Sequence, residues 1–342
     1  MSDDQIPDQN LQQQETKPSE IAPTDPENPP QEENIEEFPG YSDFKKCCCC
    51  TKMSNGALFC GHWYCAPGMP IFVVTQALAN LGILYWIPFF NLQIYGKIFI
   101  PIITVFGIMF IFCYLKTIYD GPGYIPFYYY WAIHDKLPPN NEILVDTLED
   151  SYYGVITNDT QYKRAHDNPT PGRCIVSKLA KRFVIRPDHF CGWVGSWIGK
   201  RNHKMFFCFN FWGSIYLSLS AMAHLAGTVI ILLDGMNYRV FVEFVFVIFA
   251  LMYAAMTMQF AYSVWNNAKK NITSWEEWNN IKYGFEQETE SDNIADLFGP
   301  DHRWWKVILP INPWKNMSNA DLIKDYPTYQ QIKSNQALLH TD

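Results

Sequence analysis

No apolar run occurs before about position 70 of this 342-residue chain, so no cleavable secretory leader is expected in the residues given. The ten cysteines form no disulfide framework either. Cys47 to Cys50 are consecutive, Cys113 and Cys208 fall inside apolar stretches, and no repeated spacing joins the rest, which fits a reducing, cytosol-facing setting. Positive charge is almost missing from residues 1–43, which carry twelve acids against one lysine amid many Pro, Gln and Asn. Such a segment buries too little apolar surface to offset chain entropy, so residues 1–45 are expected to be a disordered acidic tail. The tail also distorts the averages. A net charge of −8 and a mean hydropathy of −0.13 look soluble and acidic, yet the chain without its tail carries a net charge near +3.

Charge is also scarce in four long stretches, 71–90, 98–115, 206–233 and 240–264, of which only the last holds a charged residue, Glu243. Each is about the length a helix needs to cross a hydrocarbon core of roughly 30 Å. The fold class expected is an all-α polytopic membrane protein with four transmembrane helices. Helices one and two lie in 71–118, helices three and four in 206–264, a juxtamembrane Cys-rich segment in 46–70 and a C-terminal region in 265–342. His224 and Glu243 interrupt the last two runs; Glu243 is expected to snorkel to the interface, with an interior polar partner as the alternative. So few ionisable residues speak against a channel or transporter. Residues 160–205 hold ten Lys or Arg against two Asp, which puts this loop and both termini in the cytosol. Golgi, endoplasmic reticulum and plasma membrane all remain open, and the sequons at Asn158, Asn271 and Asn316 should carry no glycan.

The loop 119–205 is too long and polar for a plain connector. Its cations suit lipid headgroups or a phosphate-rich cosubstrate. Within it, Asp188, His189 and Cys191 lie within four consecutive residues. A cysteine attacks as thiolate, a histidine accepts or holds its proton, and a carboxylate orients the histidine. Cys191 is therefore the candidate nucleophile, His189 the general base and Asp188 its orienting acid. Chance alone also produces a D-H-x-C tetrapeptide, and a lone cysteine is more often inert packing.

The stretch Val184-Ile185-Arg186-Pro187-Asp188-His189-Phe190-Cys191-Gly192-Trp193-Val194, preceded by Pro171-x-Arg173 and followed by Ile198-Gly199-x-x-Asn202-His203-x-x-Phe206, resembles the core of the DHHC protein S-acyltransferases, or palmitoyltransferases. Asp120-Gly121-Pro122-Gly123 is similar to that family's Asp-Pro-Gly motif with one extra glycine. Thr273-Ser274-Trp275-Glu276 is similar to its Thr-Thr-x-Glu motif, and the run from Asn293 to Gly299 to its C-terminal motif. The resemblance implies a cytosolic catalytic domain between helices two and three. It implies transfer of a long-chain acyl group, palmitoyl in type, from acyl-CoA through an S-acyl intermediate on Cys191 to cysteines of membrane-associated proteins. Trp193 and Tyr216 are the acyl-binding candidates, with Tyr216 limiting chain length. Acyl-CoA, protein substrates and the bilayer are the expected partners, and nucleic acid is not. Cys47, Cys48, Cys49 and Cys50, beside Lys45 and Lys46, suit S-acylation themselves.

Family members build this loop around two structural zinc ions. Here the corresponding positions read Lys163, His166, Val176 and Phe183 for one site, and Ser177, Ala180, Phe190 and Trp197 for the other. A single histidine cannot make a closed tetrahedral site, so no metal or other cofactor is expected, only acyl-CoA as cosubstrate. The apolar replacements suggest a small packed core in place of the metals, each well-buried side chain contributing roughly 1.5 to 3 kcal/mol. The alternative is a catalytically silent membrane scaffold of the same fold that binds acyl-CoA or partner proteins.

Overall fold

The structure, a computed structural model, describes residues 68–127, 156, 159–167, 169–281 and 284–339. Four helices among them are long and apolar enough to cross a membrane: Met69–Asn91, Gln93–Asp120, His203–Asp234 and Tyr238–Lys269. The chain is an integral membrane protein on this architecture. Each helix outruns its uncharged sequence stretch, because helical hydrogen bonding continues through the polar residues at the cytosol-predicted ends.

The first span has two pieces, α1 (Gly68–Trp86) and the single turn α2 (Pro88–Asn91). The turn between the first two spans is a single residue, since α3 (Gln93–Asp120) starts directly after Leu92. Gln93 makes the break with a φ of 51°. A Cβ on Gly96 would stand 2.6 Å from the carbonyl oxygens of Pro88 and Phe89, so only glycine allows this closeness.

The segment between the second and third spans is not purely helical. It holds β1 (Tyr124–Ile125), α4 (Asp159–Asp167), β2 (Cys174–Ser177), β3 (Arg182–Ile185), β4 (His189–Cys191) and β5 (Ser196–Ile198). Strands β1, β3 and β2 form one antiparallel sheet in that order, and β4 pairs with β5 in a separate hairpin. Then come α5 (His203–Asp234) and α6 (Tyr238–Lys269), the third and fourth spans. Five shorter helices follow: α7 (Ser274–Trp278), α8 (Glu290–Phe298), α9 (Trp304–Ile308), α10 (Asn319–Ile323) and α11 (Tyr329–Leu339).

Helix α5 is the centre of the bundle and packs on α3, α6 and α1. One apolar cluster runs from Leu84 and Ile100 through Phe110 and Tyr216 to Cys191, Val194 and Ile198, and on to Leu297 and Phe298. The hairpin is therefore seated on the membrane bundle. A second cluster joins Phe183, Ile185 and Cys174 of the loop to Trp314, Leu322 and Ile323 from the C-terminal region. A third joins Ile281 and Phe285 to Tyr329 and Ile332. The C-terminal chain thus wraps the loop, and Gly172 meets the Tyr326 carbonyl where no side chain fits.

Candidate active site

Side chains two apart on a strand share a face. His189 and Cys191 of β4 therefore point together, while Phe190 points away and lies opposite Trp197 of β5. The turn between the strands is closed by the Gly195 N–H on the Cys191 carbonyl at 2.8 Å, with Gly195 at a φ of 68°.

His189 Nδ1 donates to Asp188 Oδ2 at 2.7 Å. The other ring nitrogen is left for Cys191, which shares the strand face of His189 and also acts on the ring's proton affinity. Burial alone lowers the His189 imidazole, but the bond to Asp188 and then the interaction with Cys191 outweigh it and raise its pKa to about 10. For Asp188, burial raises the carboxyl, but His203, His189 and the Ser274 N–H together hold it well below the carboxylate range. The site at neutral pH is thus a carboxylate holding an imidazolium beside Cys191, with Asp188 2% and Cys191 5% exposed.

What fixes Asp188 comes from beyond the fourth span. Its Oδ1 accepts the Ser274 backbone N–H at 2.8 Å. Ser274 opens α7, whose N-cap is Thr273, and Thr273 and Glu276 form a reciprocal capping box. Glu276 then takes a two-pronged contact from Arg173, both N–O distances being 2.8 Å. Arg173 also reaches Asp296 Oδ2 at 3.1 Å, and Arg186 reaches the same oxygen at 2.8 Å. Arg186 donates to His203 Nδ1 at 3.0 Å, so the His203 proton sits on Nε2, which faces Asp188 at 3.8 Å. Lys200 closes the group on Asp296 Oδ1 at 2.7 Å and on the Tyr326 hydroxyl at 2.7 Å. Burial lowers the Lys200 pKa to about 8 against the pull of Asp296.

This corrects one expectation about charge. Arg173, Arg182, Arg186, Lys200 and Lys204 are buried, so half of the loop's cations serve the interior rather than a headgroup or cosubstrate. Lys163 and Lys178 stay exposed.

The remaining motif residues also brace the site. Asp120 pairs with Lys116 at 3.1 Å and accepts Asn312 Nδ2 at 3.0 Å. The Pro122 and Gly123 carbonyls accept the N–H groups of Arg201 and Ile185. Asn293 accepts the Gln287 N–H at 2.7 Å and donates to the Lys269 carbonyl at 2.9 Å. Asn271 is 1% exposed and gives its side chain to Arg173 and to the Phe285 carbonyl, so this sequon is closed in the folded chain.

An apolar cavity opens beside Cys191 and runs between the helices. It holds about 810 Å³ free of protein atoms, its open mouth included, and its lining contains Trp193, Phe206, Phe209, Tyr253, Tyr216 and Asn80. Trp193 is fixed by its carbonyl, which accepts the Tyr114 hydroxyl at 2.6 Å. Tyr216 lies at the far side, its ring stacked on Phe110 at 5.9 Å. A Cβ on Gly107 would come within 2.9 Å of that ring. From Phe206, whose ring touches His189 at 5.1 Å, to Tyr216 is about 15 Å along α5 at the helical rise.

The donor sets for zinc do not fit. Lys163 and His166 lie exposed on α4, and His166 Nδ1 faces Asp167 at 3.5 Å. Val176 and Phe183 belong to the apolar cluster with Trp314 and Ile323. At the other site Trp197 Nε1 donates to Ser177 Oγ at 2.8 Å, Ser177 Oγ accepts the Ala180 N–H at 3.1 Å, and the Phe190 and Trp197 rings meet edge-on at 6.1 Å. Among the described residues, no three His, Cys, Asp or Glu side chains gather to hold a metal. Cys47 to Cys50 lie outside the described residues.

Sequence reasoning reached Asp188, His189 and Cys191 but missed their supports Ser274, Asp296, Tyr326 and Tyr329, the last of which donates its hydroxyl to Glu276 Oε1 at 3.0 Å. The motif matches at 273–276 and 293–299 marked two of these places without saying what they touch.

The DHHC palmitoyltransferase family model matches residues 156–281. Palmitoyltransferase AKR1 of Debaryomyces hansenii is 28% identical over 126 residues, which cover 36% of this chain and 14% of that protein. Palmitoyltransferase ZDHHC2 of Rattus norvegicus is 24% identical over 150 residues, 41% of this chain and 40% of the relative. A probable protein S-acyltransferase 12 of Arabidopsis thaliana is 21% identical over 240 residues, 66% of this chain and 77% of the relative. The chain therefore spans well under half the length of the first two relatives.

Proposed function

We propose that this chain, which belongs to the DHHC palmitoyltransferase family, is a protein S-acyltransferase that works without zinc. The observation that carries the reading is the Asp188–His189–Cys191 group at the mouth of an apolar cavity. The Cys191 thiolate attacks the thioester carbon of a long-chain acyl-CoA. A new C–S bond forms, the bond to CoA breaks, and CoA leaves as a thiol with the proton that His189 held. In the second half the thiol of a membrane-associated protein attacks the acyl-Cys191. His189 takes its proton, and Cys191 is released as thiolate. Asp188 stays ionised throughout and keeps His189 in one orientation. Proton transfer of this kind contributes about 10² to 10⁴ in rate.

Trp193 borders the acyl chain near the thioester, and Tyr216 forms the floor that limits its length. The cation excess of residues 160–205 orients the site and both termini toward the cytosol. The membrane is the Golgi, endoplasmic reticulum or plasma membrane, and Cys47 to Cys50 are acceptors, in cis or from a related enzyme. Loop stability comes from the Phe190–Trp197 and Val176–Phe183 packing and from the C-terminal wrap instead of metal.

The test is incubation of purified protein with a clickable acyl-CoA analogue. Hydroxylamine-labile label that requires Cys191 supports catalysis. Folded protein that binds the analogue yet never labels supports the silent scaffold.

A further inference from the structure

Two ionisable side chains sit deep among the spans and touch nothing the reaction uses directly. Glu243 of α6 and His224 of α5 are both 0% exposed, and His224 Nδ1 lies 2.9 Å from Glu243 Oε2. Contrary to the interfacial position expected from sequence, Glu243 faces the bundle interior, and a Cβ on Gly227 would stand 3.2 Å from the same oxygen. Groups this costly to bury are retained where they do something.

The contacts continue toward the cavity. His224 Nε2 lies 3.2 Å from Asn80 Oδ1. Asn80 Nδ2 donates to the Tyr216 hydroxyl at 2.6 Å and to Ser220 Oγ at 3.1 Å. The Tyr216 hydroxyl in turn donates to the Ala77 carbonyl at 3.2 Å. Asn80 and Tyr216 line the cavity.

The proton inventory fixes the direction of this chain. An amide oxygen only accepts, so Nε2 must carry a proton toward Asn80. Nδ1 then either donates to an ionised Glu243 as part of an imidazolium or accepts from a protonated Glu243 as a neutral ring; each of these states carries the Nε2 proton, whereas a neutral ring protonated on Nδ1 would not. Asn80 is thereby prevented from flipping, because its NH₂ cannot face the imidazole N–H. The NH₂ is held on Tyr216 instead. Glu243 acts on Asn80 only through His224.

We infer that Glu243 and His224 are positioning residues that lock Asn80 onto Tyr216 and so set the depth of the cavity, and with it the acyl chain length accepted. The inference rests on the acyl-CoA reading of the cavity. It differs from that reading in its residues, which lie beyond the cavity wall and act on the floor at second hand.

The test measures thermal stabilisation of full-length Cys191→Ser protein by uncleavable thioether analogues of myristoyl-, palmitoyl-, stearoyl- and arachidoyl-CoA. Binding is read without chemistry. Glu243→Leu and His224→Leu should shift the preference by one or more steps toward longer chains, changing the stearoyl-to-palmitoyl affinity ratio roughly three- to tenfold, the effect of one buried hydrogen bond. Asn80→Ala should do the same. Glu243→Gln should keep the wild-type order, because its amide NH₂ can donate to Nδ1 and preserve the Nε2 proton. His224→Phe, which keeps the ring beside Phe246, serves if the leucine variant does not fold, and it should show the same shift. Adding Asn80→Ala to Glu243→Leu should produce no further shift.

An unchanged order in folded Glu243 and His224 variants, or full additivity in the double variant, overturns the inference. Wild-type binding of the series, together with no label on Cys191 from the cleavable clickable acyl-CoA, overturns the catalytic reading alone. No binding of any chain length overturns both.

Discussion

The backbone N–H of Ser274 donates to Asp188 Oδ1 at 2.8 Å across 86 positions of sequence. The orientation of the site's carboxylate is thus set by the first turn of a helix beyond the fourth span. Ser274 Oγ lies farther off, at 3.4 Å from Oδ2. Ser274→Ala should therefore change little. Ser274→Pro removes the N–H at the first position of a helix, where proline is tolerated, and should slow Cys191 labelling about tenfold or more, the scale of one hydrogen bond to a charged group. Labelling rates of the two folded variants test this. Equal rates would mean that the Ser274 N–H does not hold Asp188 in place.

Arg173 and Glu276 are both essentially unexposed and meet in a two-pronged pair. Removing one partner leaves a buried charge without compensation, which costs about 3–5 kcal/mol. Arg173→Met should lower the unfolding temperature steeply. Arg173→Lys should also destabilise, since a single ammonium cannot make the fork. A loss within the range of ordinary surface substitutions contradicts this reading of the cluster.

The side chains standing where a related loop would bind metal should behave as core. Phe183→Ala should destabilise by about 3–5 kcal/mol, and Trp197→Ala should do likewise while freeing Ser177 Oγ. Chelator treatment of the wild type should leave its unfolding curve unchanged. A chelator-dependent drop with zinc released in stoichiometric amount would show that the packing does not stand in for metal.

His189 gives a pH dependence with a definite sign. Its pKa rises from 6.5 in the unfolded chain to about 10 in the fold. The stabilisation from its charged form is complete below about pH 6.5 and is lost as pH climbs through about 10. The difference in unfolding temperature between wild type and His189→Gln should therefore shrink from pH 7 to pH 10. A difference that grows over that interval contradicts the Asp188–imidazolium assignment.

Four spans were legible in the sequence because uncharged runs of that length have one main explanation. The break at Leu92 was not, since Gln93 gives no sign of a positive φ. Neither was β4, as three residues, His189 to Cys191, are too few for a period-two pattern to declare itself. The strand nonetheless explains the D-H-x-C spacing, because it puts the two reactive groups on one face and Phe190 on the other. The cation-rich character of residues 160–205 was plain, but not its partners, since Glu276, Asp296 and Tyr326 come from far along the chain. His224 and Glu243 stood out as interruptions in apolar runs. Only the helix packing showed that they meet.

The most direct measurement is mass spectrometry of the Cys191 peptide after incubation with clickable palmitoyl-CoA, run beside metal analysis of the same sample. A hydroxylamine-labile acyl group on Cys191, absent from Cys191→Ser and Asp188→Ala, in protein holding far less than one zinc per chain, is expected. Folded protein without label at Cys191, or label that appears only with stoichiometric zinc, would contradict a zinc-independent acyltransferase.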